Sequence, residues 1–168
     1  MSSPAQPVPA AARWRALLLC TLGVCVAAAG ADPAPATTPV ELTVVGGAAL
    51  NPNAEGRPSA VVVRIYDLAA AHAFEAADFQ ALFEHPEDAL KSDLLAQEEF
   101  MIRPGEIQQH NRSVKREVLA LGVVVAFRDL TQGVWHLSVP LKPGQRNFLL
   151  VDLDRNTIRL VPVDQGQP

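Results

Sequence analysis

The sequence predicts an all-β sandwich of about seven or eight short strands, with a small helical insertion after the second strand. Three observations carry that prediction. Runs of period-2 hydrophobicity rich in Val, Ile and Leu recur along the body of the chain. Leu119 to Phe127 is almost entirely apolar, as befits a central strand covered on both faces. Helical spacing is confined to one stretch, Ala69 to Leu95.

The first strand is Val40-Glu41-Leu42-Thr43-Val44, which alternates apolar and polar. In the second, Val61 to Tyr66, Val61, Val63 and Ile65 share a face. The helical stretch follows, with Phe79, Leu82 and Phe83 at i, i+3 and i+4 and Pro86 suited to the first turn of a further short helix. Pro104-Gly105 marks the return to strands. Downstream of the central strand, Trp135, Leu137, Val139 and Leu141 form one face and His136, Ser138 and Pro140 the other, which places His136 toward solvent. Leu149, Val151 and Leu153 form the inner face of the next strand, and Asp154-Arg155-Asn156-Thr157 reads as its hairpin turn.

The N-terminus reads as an export address. Arg13 and Arg15 precede an apolar run from Ala16 to Ala29, short for a membrane span of about 20 residues but suited to a secretory signal. Leu22-Gly23-Val24-Cys25 resembles a bacterial lipobox, in which the chain is cut before a cysteine that carries diacylglycerol. Ala29-Gly30-Ala31 offers a competing small-x-small cleavage site. On this reading residues 1–24 are a signal peptide, 25–39 a Pro/Ala/Thr-rich lipid-anchored tether, 40–164 the sandwich domain and 165–168 a tail. About 140 residues then suffice for one core without disulfides.

Composition excludes several classes. With 14 Lys+Arg against 18 Asp+Glu and a formal charge of -4, the 168-residue chain lacks the basic footprint of a nucleic-acid binder. Its 49% hydrophobic content is too high for a disordered chain. The 2 cysteines, Cys20 and Cys25, both lie in the leader, so the body has no thiol metal site. His72, His85, His110 and His136 show no ligand-like spacing. Asp152-x-Asp154-x-Asn156 resembles a calcium loop but has Thr157 and Val163 where Gly and Glu belong. Nucleophile-elbow, phosphate-loop and zinc-protease motifs are absent, so neither catalysis nor a cofactor is expected.

One loop is longer than its task requires. Gly46 to Pro58 joins the first two strands, where two to five residues would suffice. Its Gly and Asn-Pro residues build turns, and long ordered loops on a rigid sandwich are often binding loops. Leu50-Asn51-Pro52 and Gly56-Arg57-Pro58-Ser59 in this loop begin a family resemblance that continues through Val63 to Leu68, Ala77-Asp78-Phe79-x-x-Leu82, Ile102 to Glu106, Leu121 to Arg128, Trp135 and the closing strands to Leu160. In order and spacing these segments resemble the type VI secretion system outer-membrane lipoprotein family (TssJ, also called SciN or VasD).

The resemblance implies a transthyretin-like two-sheet β-sandwich with added helices. It implies a lipoprotein on the periplasmic face of the outer membrane, with Cys25 carrying diacylglycerol and an amide-linked acyl chain such as palmitate. It implies, as partner, the periplasmic C-terminal domain of the inner-membrane component TssM. The partner-binding loop would then comprise Leu50, Asn51, Pro52, Asn53, Glu55, Gly56, Arg57 and Pro58. Transthyretin-like hydrolases of hydroxyisourate end in Tyr-Arg-Gly-Ser, whereas this chain ends Val163 to Pro168 without it. The alternative reading is a periplasmic β-sandwich that binds a small ligand, which a deep aromatic-lined pocket would favour.

Overall fold

The computed structural model describes residues 36–162. The signal segment, Cys25, most of the expected tether and the tail at 165–168 lie outside the described residues.

Two four-stranded sheets form the domain. One has the order β4-β1-β7-β8 and the other β3-β2-β5-β6. The strands are β1 (Thr37–Gly46), β2 (Val61–Leu68), β3 (Leu94–Ile102), β4 (Ile107–Lys115), β5 (Ala120–Val125), β6 (His136–Pro140), β7 (Asn147–Asp154) and β8 (Thr157–Val161). All neighbours are antiparallel except β1 and β7. Val40, Leu42 and Val44 of β1, Val61, Val63 and Ile65 of β2, and Val151 and Leu153 of β7 meet between the sheets, as their alternation requires. Thr37, Thr38 and Pro39, placed in the tether by their composition, belong to β1. They pair with Lys115, Val114 and Ser113, and Thr38 is wholly buried.

All six residues of β5 are buried. Leu121, Val123 and Val125 face the inter-sheet core, and Ala120 and Val124 face a second core under the helices. That second layer is α1 (His72–Ala76), α2 (Phe79–Glu84), α3 (Pro86–Leu90) and a 3₁₀ turn at Lys91–Asp93. The helical stretch is thus three short helices. Asp78 starts α2 by accepting from the Ala81 N–H at 2.8 Å, and Pro86 cannot continue α2, so it opens α3. The layer is fastened by the Tyr66 hydroxyl, which donates to the Leu82 carbonyl at 2.6 Å. Phe74 lies flat against Gly122, where a Cβ would come within 2.5 Å of the ring.

His136 is half-buried, not exposed. Its ring lies 3.9 Å from that of Trp135 and 5.7 Å from that of Phe74, and burial lowers its basicity. The outer face of β6 is covered by the helical layer, which period-2 reasoning cannot anticipate. Trp135 itself precedes β6 and packs partly against both cores.

The edge strands β3 and β4 mix apolar and charged inward side chains: Ile102, Phe100 and Val114 join the main core, and charged groups stand beside them. Glu98, paired with Ile65, and His110 and Arg112, paired with Leu42 and Val40, all point inward. His110 lies 3.3 Å and Arg112 3.4 Å from Glu98, and Arg112 also pairs with Asp67 of β2. Burial pushes the Asp67 carboxyl above its ordinary value, and Arg112 pulls it back.

Gly122→Ala is expected to destabilise the domain by about 1–3 kcal/mol through overpacking against Phe74. In a Phe74→Leu background the same substitution should cost markedly less, as measured by denaturant titration. Equal cost in both backgrounds would show that the ring is not what Gly122 accommodates.

Candidate functional site

The long connection between β1 and β2 spans residues 47–60. It shares one pole of the sandwich with the β3–β4 turn, the β5–β6 connection and the β7–β8 hairpin. Two glycines let the chain leave β1 there. A Cβ on Gly46 would meet the Arg103 carbonyl at 2.5 Å and one on Gly47 the Leu153 carbonyl at 2.9 Å. The Gly47 N–H instead donates to that Leu153 carbonyl at 2.7 Å. Leu50 then turns fully inward and joins the main core.

Asn51 follows and ties the pole together. It adopts a positive φ of 46°, which asparagine tolerates better than most residues. Its Nδ2 donates to the Ser59 Oγ at 3.1 Å and to the Ala60 carbonyl at 2.9 Å, closing the loop on itself. Its Oδ1 accepts from the Arg128 N–H at 2.9 Å, in the β5–β6 connection. Its own N–H donates to the Arg155 carbonyl at 2.8 Å, in the β7–β8 hairpin. The Ser59 hydroxyl completes the set by donating to the Asn51 carbonyl at 2.6 Å. With Asn51 only 4% exposed, every one of these groups would be costly to leave unpaired.

Beyond Asn51 the loop emerges as a closed tip. The Asn53 Oδ1 accepts from the Glu55 N–H at 3.1 Å and the Arg57 N–H at 2.9 Å. The Gly56 N–H donates to the Asn53 carbonyl at 2.9 Å, with Gly56 at φ 75°. Ala54 through Pro58 are exposed. The Glu55–Arg57 pair, 3.8 Å apart at side-chain exposures of 66% and 77%, adds little stability and leaves both charges available. The tip offers a carboxylate, a guanidinium and braced backbone.

The eight residues expected to bind a partner therefore divide. Leu50 and Asn51 are buried and hold the loop from within. Pro52 and Asn53 are half-buried and shape the tip, while Glu55, Gly56, Arg57 and Pro58 are presented to solvent. Ser59, Ala60, Arg128 and Arg155 complete the support. Arg128 and Arg155 lie far along the chain, and no local pattern marks them. The lipidation residue Cys25 lies outside the described residues.

Other readings find little in the geometry. His72 and His85 are exposed on the helical layer, and His110 and His136 lie in separate contacts. Asp152 accepts from the Arg159 guanidinium at 2.8 Å across the β7–β8 hairpin. Among the described residues no three His, Cys, Asp or Glu side chains converge as a metal site. Two clefts near 400 Å³ are open grooves along the helical layer, one lined by Arg64, Phe83 and a row of polar side chains, and are not deep aromatic pockets.

Comparison with known proteins bears on the whole domain. The model of the T6SS-SciN family, described as type VI secretion lipoprotein, VasD, EvfM and TssJ, matches residues 38–156. The T6SS lipoprotein TssJ1 from Pseudomonas aeruginosa is similar at 31% identity and a TM-score of 0.73, over 76% of this chain and 98% of that one. Serratia marcescens Lip, a membrane-bound component of the type VI secretion system, shares the fold at 20% identity and a TM-score of 0.70, over 76% of this chain and 98% of that one. A structure described as the T6SS protein TssM C-terminal domain (869-1107) from EAEC contains a chain similar at 29% identity and a TM-score of 0.64, over 74% of this chain and 98% of that one. No curated protein matches the chain.

Asn51→Ala is expected to destabilise the domain by about 2–4 kcal/mol, since it strands the Arg128 N–H and the Ala60 carbonyl. Arg57→Ala should change stability by less than about 0.5 kcal/mol. Chemical denaturation distinguishes the two, and equal small effects would show that Asn51 is not the tie.

Proposed function

This chain belongs to the type VI secretion lipoprotein family, and we propose that it tethers the trans-envelope secretion complex to the outer membrane by binding the periplasmic C-terminal domain of TssM. The family is a structural lipoprotein component of the secretion apparatus, not an enzyme family. The observation that carries the proposal is the placement of the two ends. The N-terminal chain meets the sandwich at Thr37, and β1 runs 10 residues, about 33 Å, to the opposite pole, where the Asn51-braced loop projects. In a protein held to a membrane by its N-terminus, the rigid polar tip thus lies at the end of the domain remote from the point of attachment.

Lipidation at Cys25 supplies the membrane end. A diacylglycerol with a further acyl chain binds far more strongly than the single chain that gives marginal, reversible association. Residues 26–36 span at most about 40 Å when extended, which keeps the domain close to the bilayer. The tip supplies the other end, through hydrogen bonds, Glu55 and Arg57. Bracing lowers the ordering cost of binding, so a small polar patch can still be specific. Similarity to a chain in a structure described by the TssM C-terminal domain supports this choice of partner.

Replacing Ala54, Glu55, Gly56 and Arg57 with Gly/Ser residues should leave the melting temperature unchanged. It should weaken binding of the TssM periplasmic domain by about tenfold or more, read by titration calorimetry. Unaltered affinity would remove the loop from the account. Cys25→Ser should deplete the protein from the outer-membrane fraction, and continued presence there would show that lipid is not the anchor.

A further inference from the structure

The pole opposite the loop carries a distinct pattern of charge. Three links gather it around the N-terminal end of the domain. The Arg116 N–H donates to the Ala36 carbonyl at 3.2 Å, the Gly144 N–H to the Thr38 Oγ1 at 2.9 Å, and the Leu141 N–H to the Leu119 carbonyl at 2.8 Å. Around these links stand Lys115, Arg116, Lys142 and Arg146, all exposed. Lys91, in the 3₁₀ turn, brings all three lysines of the chain to this end.

Two features separate this cluster from ordinary surface charge. The first is its setting in a chain of formal charge -4. Residues 69–90 of the helical layer hold five carboxylates and no lysine or arginine, so the domain is electrically polarised. The second is weak internal neutralisation. Glu117 lies 3.3 Å from Lys115 and Glu41 3.5 Å from Arg146, in pairs whose cations are 80% and 65% exposed. Such pairs exchange partners at little cost. Arg116 and Lys142 have no ion-pair partner among the described residues.

Leu119, three residues after Arg116 and bonded through its carbonyl to the residue before Lys142, has 49% of its surface exposed. Its backbone is fixed on both sides, with the N–H on the Leu68 carbonyl and the carbonyl accepting from Leu141, each at 2.8 Å. It is therefore presented outward in a fixed place. Exposed lysine and arginine around a projecting leucine match the chemistry of a phospholipid surface. The cations meet headgroup phosphates and the apolar side chain reaches the acyl boundary.

We propose that this pole seats directly on an anionic bilayer surface, with Lys115, Arg116, Lys142 and Arg146 on headgroup phosphates and Leu119 between them. The seat rests on the reading of Cys25 as the anchor and adds an orientation to it. The acyl chains hold the protein at the membrane, the basic pole decides which end faces the lipid, and the acidic helical layer is repelled from it. The domain then stands upright, and the loop pole is offered outward rather than lying along the surface.

The test uses the mature lipidated protein, in which a cysteine introduced by Leu119→Cys is the sole free thiol. It carries an environment-sensitive fluorophore, and a control carries the same label at Ala54→Cys. Both are reconstituted on vesicles of phosphatidylcholine alone or mixed equally with phosphatidylglycerol, with a headgroup-attached quencher. On the mixed vesicles the Leu119→Cys label should be quenched several-fold more than the Ala54→Cys label. The difference should be lost on neutral vesicles, in raised salt and in Arg116→Glu/Lys142→Glu, whose exposed positions leave the thermal unfolding curve unchanged. Co-flotation with vesicles reports on the acyl anchor and should persist throughout. Flotation with equal quenching of the two labels, or quenching indifferent to lipid charge and to charge reversal, overturns the seat alone. Loss of flotation overturns the anchor and the seat with it.

Discussion

Six consecutive buried residues in β5 oblige both faces of its sheet to be covered, and most of the architecture follows from that demand. One face meets the β4-β1-β7-β8 sheet. The other needs a second layer, which the segment after β2 supplies as three short helices. Phe74 enters that layer's core only because Gly122 has no side chain beneath it. His136 and Trp135 are drawn into the same interface, so residues of β6 that alternate like a solvent-facing strand end half-buried. Among the described residues the outer face of the partner sheet has no such cover, and it carries exchangeable charge pairs, Arg146 with Glu41 and Arg159 with Asp152.

Polar residues do the complementary task at the margins. Along β3 and β4, Glu98, His110, Arg112 and Asp67 form half-buried pairs beside Phe100, whose ring packs on that of His110. Such pairs are weak contributors to net stability, but they match inward charges and blunt two edge strands that could otherwise recruit further chains. At the loop pole the same principle operates in one residue. The Asn51 amide gives two donors to its own loop and one acceptor to the β5–β6 connection, while its backbone N–H reaches the β7–β8 hairpin. The loop is long without being loose because its root is part of the protein interior.

The two poles therefore have different chemistry on one rigid body. One is a braced polar tip with balanced charge, the other a basic rim around the N-terminal strand. The point where the N-terminal chain joins and the braced loop thus lie at opposite ends of β1, and the length of that strand sets their separation.

Much of this was legible in the sequence. The strands β1, β2, β5 and β7, the helical insertion and the Asp154–Thr157 hairpin follow from alternation, apolar runs and turn chemistry, which are local properties of the chain. The loop between β1 and β2 stood out by its length, and the order of short motifs placed the chain in its family. The tertiary structure alone decided the rest. It made strands of β3 and β4, whose inward rows mix core residues such as Ile102 and Val114 with the charged Glu98 and Arg112. It put Leu50 into the core and made Asn51 an anchor of the loop, because the partners of Asn51 at Arg128 and Arg155 are remote in sequence. It brought the scattered cations of three connections to one end. Periodicity reports which face of an element is apolar, but what covers that face, and which distant groups satisfy a buried amide, depend on long-range packing that no local pattern encodes.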